Sequence, residues 1–237
     1  MAAGSERVIL VTGSRRGIGR AVVTHYLDHG DIVFGLSRTD SDLRHDQYRH
    51  LVADVRDEAA VRAAYAEIAR ETSRLDVLIN CAGAKLGGYA LLTGAAQAAE
   101  MFATNLLGAF IVSREAVKLM KRRRFGRVIS FSSVAVPLGS PGSTVYGASK
   151  AGLEQLAYGL SRELKDDDIT FNTIGISIFA DSGMAESLGD RALAEANSAL
   201  IKPGALAIEE IVHAVDFFAA PAARHITNQV VYFGGLR

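Results

Sequence analysis

A doubly wound parallel α/β sheet of about seven strands, with helices on both faces, is the architecture this sequence predicts. Three observations point to it. Short apolar runs alternate with longer helical patterns from one end of the chain to the other, as in a parallel sheet whose crossovers are helices. Several runs are apolar without polar alternation, as strands covered on both faces must be. Finally, 237 residues with 49% hydrophobic content suffice for one large core, and no Pro/Ser-rich linker, low-complexity tract or repeat divides them.

The elements follow in order. A strand is expected at 8–11, and a glycine-rich turn then opens a helix near 18–29. Apolar runs at 32–36 and 51–53 read as the next two strands, followed by a helical pattern at 58–71 and a buried strand at 77–79. The long stretch 96–122 reads as one helix and 128–131 as the strand after it. In the helix at 146–165, Leu153, Leu156, Leu160 and Leu164 recur at three- and four-residue spacing, giving one apolar stripe. A strand at 169–178, a helix at 209–219 and a strand at 230–233 complete the pattern. Residues 181–206 fit no strand. Gly183, Gly189 and Gly204, with Met184, Leu188, Leu193, Leu200 and Ile201 among them, read as a partly helical lid over a substrate site, because a lid needs hinges and an apolar underside. An ordinary surface helical hairpin is the plainer alternative.

Composition narrows the function. With 26 Lys+Arg against 26 Asp+Glu, neither nucleic acid nor an anionic membrane is expected as the main partner. No uninterrupted apolar run approaches the ~18 residues of a membrane span. The start of the chain lacks an apolar signal core, so a cytoplasmic location is expected. Cys81 is the only cysteine, which excludes an internal disulfide and a Cys-based zinc site. His25 and His29 share helical spacing without a third ligand, and no catalytic metal is expected.

Thr12-Gly13-Ser14-Arg15-Arg16-Gly17-Ile18-Gly19 lies between the first strand and the first helix. Glycines there permit a tight turn and close backbone approach, and the helix N-terminus offers free N–H groups to a pyrophosphate. By chance alone such glycine spacing should occur ~0.2 times in a chain of this composition, so the strand before and helix after carry the weight. At the end of the second strand an acidic residue would accept bonds from a ribose 2′-hydroxyl. Here stand Ser37 and Arg38, with Arg15 and Arg16 in the neighbouring loop, a set suited to a 2′-phosphate. NADP is expected over NAD.

Tyr146 and Lys150 are four residues apart at the start of a helix, which puts phenol and ammonium on one face. A nearby cation favours phenolate and should pull the tyrosine pKa down, making Tyr146 a general acid toward a carbonyl oxygen. Ser132 and Ser133 end the preceding strand, at the carboxyl edge where ligands bind in such sheets.

Together these residues resemble the short-chain dehydrogenase/reductase family over essentially the whole chain, and within it the 3-oxoacyl-acyl-carrier-protein reductases. Thr12, Gly13, Gly17 and Gly19 match its glycine motif, and Asp54-Val55 its adenine-contacting pair. Asn80-Cys81-Ala82-Gly83 matches Asn-Asn-Ala-Gly with Cys81 in place of the second Asn. Asn105, Ser133, Tyr146 and Lys150 match the catalytic tetrad, and Gly234-Gly235 the near-terminal glycine pair. The resemblance implies one Rossmann-type NAD(P)-binding domain over 1–237, hydride delivery from NADPH to a carbonyl carbon, and dimers or tetramers. It further implies that Ser133 holds the carbonyl oxygen and that Lys150 binds the nicotinamide ribose. Asn105 is implied to hold a water that links Lys150 to solvent.

The chain departs from the family at Ile176-Ser177, where many members carry Pro-Gly, with Asp181 or Ser182 near a carboxamide-contacting Thr. Lys121-Arg122-Arg123-Arg124 has two readings, a docking site for an acidic acyl carrier or a solvated run at a helix end; Asp166-Asp167-Asp168 speaks against docking. The mostly apolar or small approach at 134–142 suits an acyl, polyketide-like or aromatic ketone. Two other functions compete: a catalytically silent nucleotide-binding scaffold, against which the intact tetrad argues, and an NAD-dependent alcohol dehydrogenase, against which Arg38 argues.

Overall fold

The computed structural model describes residues 6–179 and 197–235. Its first half comprises β1 (Val8–Thr12), α1 (Gly17–Asp28), β2 (Ile32–Ser37), β3 (Tyr48–Val52), α2 (Glu58–Thr72) and β4 (Val77–Asn80). There follow α3 (Ala95–Phe102), a π-helical turn (Ala103–Gly108), α4 (Ala109–Arg123), β5 (Phe125–Ser133), α5 (Ala135–Leu138) and α6 (Thr144–Glu163). β6 (Asp168–Ile176), β7 (Ile178–Phe179), β8 (Ala205–Leu206), α7 (Ile208–Ala219) and β9 (Val230–Tyr232) complete the described elements.

Seven strands pair in the order β3-β2-β1-β4-β5-β6-β9, every neighbouring pair parallel, which is the expected doubly wound sheet. Alternation along each strand divides the core in two. Val8, Leu10, Phe34 and Leu36 meet Ile68 of α2 and Val112 and Met120 of α4 on one face. Ile9, Val11 and Val33 meet Val22 and Val23 of α1 and Ile211 and Val215 of α7 on the other. Full burial of each such side chain contributes about 1.5–3 kcal/mol. The strand order reverses between β1 and β4, where Thr12 stands beside Asn80, and the crevice beyond those carboxyl ends is where this architecture binds ligands.

The differences from expectation have local causes. β3 begins at Tyr48, three residues early, because polar Arg49 and His50 interrupt this edge strand between buried Tyr48 and Leu51, leaving only a short apolar run. β5 begins at Phe125 and includes Arg127, whose fully buried guanidinium donates to the carbonyls of Gly126, Asp168, Ala220 and Pro221. The stretch expected as one helix at 96–122 is helical throughout, with a π turn at Ala103–Gly108 inside it. Ser177 separates β6 from β7, which leaves the main sheet to pair with β8.

The helical stretch Ala95–Arg123 is long and apolar enough to cross a membrane by length and composition alone, unlike what the run-based reading gives. A window average counts its alanines and leucines, whereas Thr104, Asn105 and Ser113 interrupt any run. In the fold it lies along the sheet, with Val112, Ala116 and Met120 in the core and Asn105 and Gly108 buried. Of the expected lid, 181–196 lies outside the described residues, as do Asp181 and Ser182. Its far end is anchored: Leu200 is buried over Gly234, and Lys202 N donates to Gly234 O at 2.8 Å.

Candidate active site

The loop after β1 requires its glycines. Gly13 has φ +66°, and a Cβ there would lie 2.9 Å from Ala82 N; a Cβ on Gly19 would strike Gly13 O. Gly17 has φ +55° with open space around it. The Gly13 N–H is spent on Leu36 O at 2.8 Å, tying the loop to β2. Helix α1 starts at Gly17 with no side-chain cap and no acidic residue in its first turn, so its N–H groups face the crevice without a competing anion. Ile18 is half-buried and packs on the core beneath this turn. The cradle therefore fits a pyrophosphate.

At the end of β2, Arg15 Nη1 donates to Thr39 Oγ1 at 2.6 Å, which joins the glycine loop to the loop bearing Arg38. Arg16 and Arg38 are exposed, and no ion pair holds either of them among the described residues. Ser37 Oγ donates to Thr39 O at 2.7 Å, and His50 Nε2 stands 3.0 Å from both Ser37 Oγ and Thr39 O. His50, from β3, is a neighbour of this basic corner that the sequence reading missed, since nothing local links it to Ser37.

Asp54 holds Arg56 through Nε at 3.0 Å and Nη2 at 2.6 Å, and this pairing keeps its carboxyl below the usual range. Val55 is buried against Gly108 of the π turn, where a Cβ would come 2.7 Å from Val55 Cγ2. Asn80 turns inward, donating to Ser113 Oγ at 3.1 Å and Ser130 Oγ at 3.2 Å. Its side chain thus braces the sheet rather than facing the crevice. Ala82 N donates to Thr12 Oγ1 at 3.1 Å, and a Cβ on Gly83 would sit 3.5 Å from Lys150 Nζ, so this backbone passes directly over the tetrad.

The four candidate catalytic residues converge. Tyr146 lies in the first turn of α6 and Ser133 ends β5. Lys150 Nζ donates to Phe131 O at 2.7 Å and stands 5.9 Å from the centre of the Tyr146 ring. Asn105, in the π turn, clasps the backbone of Ala84: its Oδ1 accepts from Ala84 N at 2.7 Å and its Nδ2 donates to Ala84 O at 2.8 Å. Nδ2 also donates to Ser149 Oγ at 2.9 Å, and Ser149 Oγ donates to Tyr146 O at 2.7 Å. Both Nδ2 protons of Asn105 are thus engaged, while Oδ1, with one bond accepted, keeps a second lone pair. π bulges in helices recur at functional positions for this kind of reason.

The electrostatics differ from the expectation for Tyr146. Burial holds its phenol above the ordinary value, opposed by the Ser133 hydroxyl. Lys150 is not among the groups that set it: its ammonium, brought down to about 8 by burial, donates to Phe131 O. At neutral pH the site thus presents a protonated phenol, beside a lysine with which it can exchange charge. Such a phenol is poised to give a proton rather than to take one.

Lys85 escaped the sequence reading. Its Nζ lies 5.7 Å from the Tyr146 ring centre, burial lowers its pKa, and among the described residues no ion pair involves it. On the segment after Lys85, whose Gly88 N donates to Gly142 O at 3.1 Å, Leu86, Tyr89, Leu91 and Leu92 are exposed. Ile176 closes β6 by accepting from Val134 N at 3.1 Å, and Ser177 Oγ is buried without a partner among the described residues. The basic run is exposed, and within it Lys121 and Arg124 pair with Asp167 at 3.5 and 3.3 Å. Among the described residues no group of three His, Cys, Asp or Glu is placed to hold a metal ion.

A glycine cradle at the switch point and a Ser–Tyr–Lys–Asn cluster beside it define a nucleotide-dependent oxidoreductase site. The short chain dehydrogenase family profile matches residues 7–192, and the chain belongs to that family. It is 30% identical over 236 residues to the 3-oxoacyl-[acyl-carrier-protein] reductase FabG of Escherichia coli strain K12, covering 97% of this chain and 96% of FabG. The short-chain reductase protein NovJ of Streptomyces niveus is 33% identical over 254 residues, covering 100% and 96%. Among solved structures, ElxO with NADP bound superposes with a TM-score of 0.88 at 25% identity, covering 96% of each chain.

Proposed function

We propose that the protein is an NADPH-dependent carbonyl reductase that converts a ketone into a secondary alcohol. The observation that carries this reading is the convergence of Tyr146, Lys150 and Ser133 at the carboxyl edge of the sheet, beside a capless helix N-terminus with its glycine turn. The names of FabG and ElxO, a carrier-protein reductase and a protein with NADP bound, support it.

Gly13, Gly17, Ile18 and Gly19 would hold the pyrophosphate, and Arg15, Arg16, Ser37 and Arg38 the 2′-phosphate, which disfavours NAD. Asp54 and Val55 would meet the adenine. Ala82 and Gly83, with Asn80 bracing them, would line the path toward Lys150. When bound, NADPH supplies the hydride for the carbonyl carbon. Ser133 orients the substrate oxygen, and Tyr146 delivers the proton to it as negative charge develops. Lys150 stabilises the phenolate left behind and Asn105 holds the loop and helix in place. Arg38, where an acidic residue would accept from a ribose 2′-hydroxyl, speaks against the NAD-dependent alcohol dehydrogenase.

The exposed apolar residues that follow Lys85 suit an acyl or polyketide-like ketone, with a 3-oxoacyl thioester as the leading candidate. Pairing of Lys121 and Arg124 with Asp167 weakens the case for docking of a carrier protein at that run. Leu156 of α6 and Phe102, Leu106, Leu107 and Phe110 line a shallow apolar cavity of about 430 Å³, in keeping with a homo-oligomer packed through these helices. A cytoplasmic protein of one domain, with no nucleic acid, membrane or metal partner, completes the reading. The test is consumption of NADPH, followed by absorbance, with an acetoacetyl thioester and a panel of ketones. Turnover is expected; tight NADPH binding without turnover across a broad carbonyl panel would favour the silent scaffold.

A further inference from the structure

A second polar cluster lies behind the tetrad. Ser132, Gly175 and Tyr232 stand in one row across β5, β6 and β9, each in register with the next. The Tyr232 ring lies over Gly175, where a Cβ would overlap Cδ1, so only glycine admits it. Across this gap the Tyr232 hydroxyl reaches Glu154 of α6, at 2.8 Å from both Oε1 and Oε2. Ser132 Oγ donates to the same carboxylate at 2.5 Å. Glu154 is one helical turn beyond Lys150, on the same face of α6. The chain that supplies Ser132 also supplies Phe131 O, on which Lys150 Nζ is seated.

We propose that Glu154, clamped by Ser132 and Tyr232, is a positioning residue that keeps Lys150 charged and seated behind Tyr146. The proposal rests on the reductase reading of the tetrad. Two groups oppose the burial that lowers Lys150, Cys81 first and Glu154 second, and of the two only Glu154 is a carboxylate. Tyr146, on its own helix, and Cys81, at the end of β4, are both pushed up by burial and are neutral in the working range. Lys85, across the Tyr146 ring, adds positive charge rather than compensating it. Glu154 acts through space, since no direct ion pair forms, and it counters the burial that lowers Lys150. Tyr232, itself held protonated by burial and by that carboxylate, remains a donor to it.

The chain has only six lysines, so the side-chain carbons of isotopically labelled lysine report Lys150 directly in the full-length protein, with Lys150→Met assigning its signal. The Lys150 midpoint is expected near 8 in the wild type. In Glu154→Gln it moves down by about one pH unit. Tyr232→Phe keeps the ring over Gly175 and the charge on Glu154 but loosens the clamp, so the midpoint moves the same way by less. The basic limb of the NADPH-dependent reduction moves with it. An unchanged midpoint in both variants overturns the proposal, and Tyr232→Phe alone decides it if Glu154→Gln does not fold. A wild type that reduces no ketone would refute the reductase reading, while the lysine titration would still decide the role of Glu154.

Discussion

Lys150→Met separates what this lysine costs the fold from what it does for the reaction. Burial brings Lys150 from the usual 10.5 down to about 8. That gap is about 3 kcal/mol by which the charged side chain weakens the folded state. Below pH 8 folded and unfolded chains both hold the proton and the penalty is complete. Between pH 8 and 10.5 the unfolded chain binds more protons, so the stability of the wild type rises with pH, and above 10.5 the penalty is gone. Methionine has no such dependence. It does lose the hydrogen bond to Phe131 O, about 1 kcal/mol at either pH, because a neutral amine still donates. Lys150→Met is therefore expected to be more stable than wild type by about 2 kcal/mol at pH 7 and less stable by about 1 kcal/mol near pH 10.5. For a chain of this size the swing is roughly 6–12 °C in Tm. Calorimetric melts of both proteins at the two pH values decide it. A variant less stable by the same amount at both would refute the claim that Lys150 is a strained, desolvated cation. Titrating groups not coupled to Lys150 cancel in the comparison.

Three further predictions follow from the site. Gly13→Ala combines an unfavourable φ of +66° with a Cβ 2.9 Å from Ala82 N, and should weaken NADPH binding by at least tenfold while costing roughly 1–2 kcal/mol in backbone strain alone; fluorescence titration and denaturant unfolding measure the two effects. Arg38→Asp should weaken NADPH binding by roughly tenfold or more and leave NADH binding the same or tighter, read by titration at fixed ionic strength. Equal losses for both nucleotides would remove Arg38 from the 2′-phosphate site. Leu107, half exposed beside the apolar cavity, should lower the oligomeric mass in sedimentation when changed to Glu, with the melt of the remaining fold little altered.

The sheet was legible because strands buried on both faces write themselves as unbroken apolar runs, as at β1 and β4. β3 was only half legible, since on this edge strand Arg49 and His50 interrupt the apolar residues and no regular period shows. Arg127 gave no sign of its burial, which depends on carbonyls more than 90 residues further along the chain. The π turn at Asn105 was invisible for another reason: no local residue signal in Ala103–Gly108 marks the wider turn within the helical pattern of 96–122. Of the site, residues joined by short spacing, such as Tyr146 and Lys150 or the glycines of the first turn, could be read directly. His50, Lys85 and Glu154 could not. Glu154 meets Tyr232 across 78 residues, and only the register of three strands brings them together. The pKa of Tyr146 was misjudged because spacing reveals the neighbouring cation but not the burial that opposes it.

The reductase mechanism places the transferred proton on Tyr146, which is also one of the residues expected to touch the nucleotide, and most of the nucleotide on other residues. The decisive comparison is NADPH consumption by wild type and Tyr146→Phe against a responsive ketone, with NADPH affinity measured on both. The mechanism predicts unchanged or nearly unchanged affinity and a fall in kcat of at least 10²-fold for the variant. A Tyr146→Phe protein that reduces the ketone at the wild-type rate would contradict it.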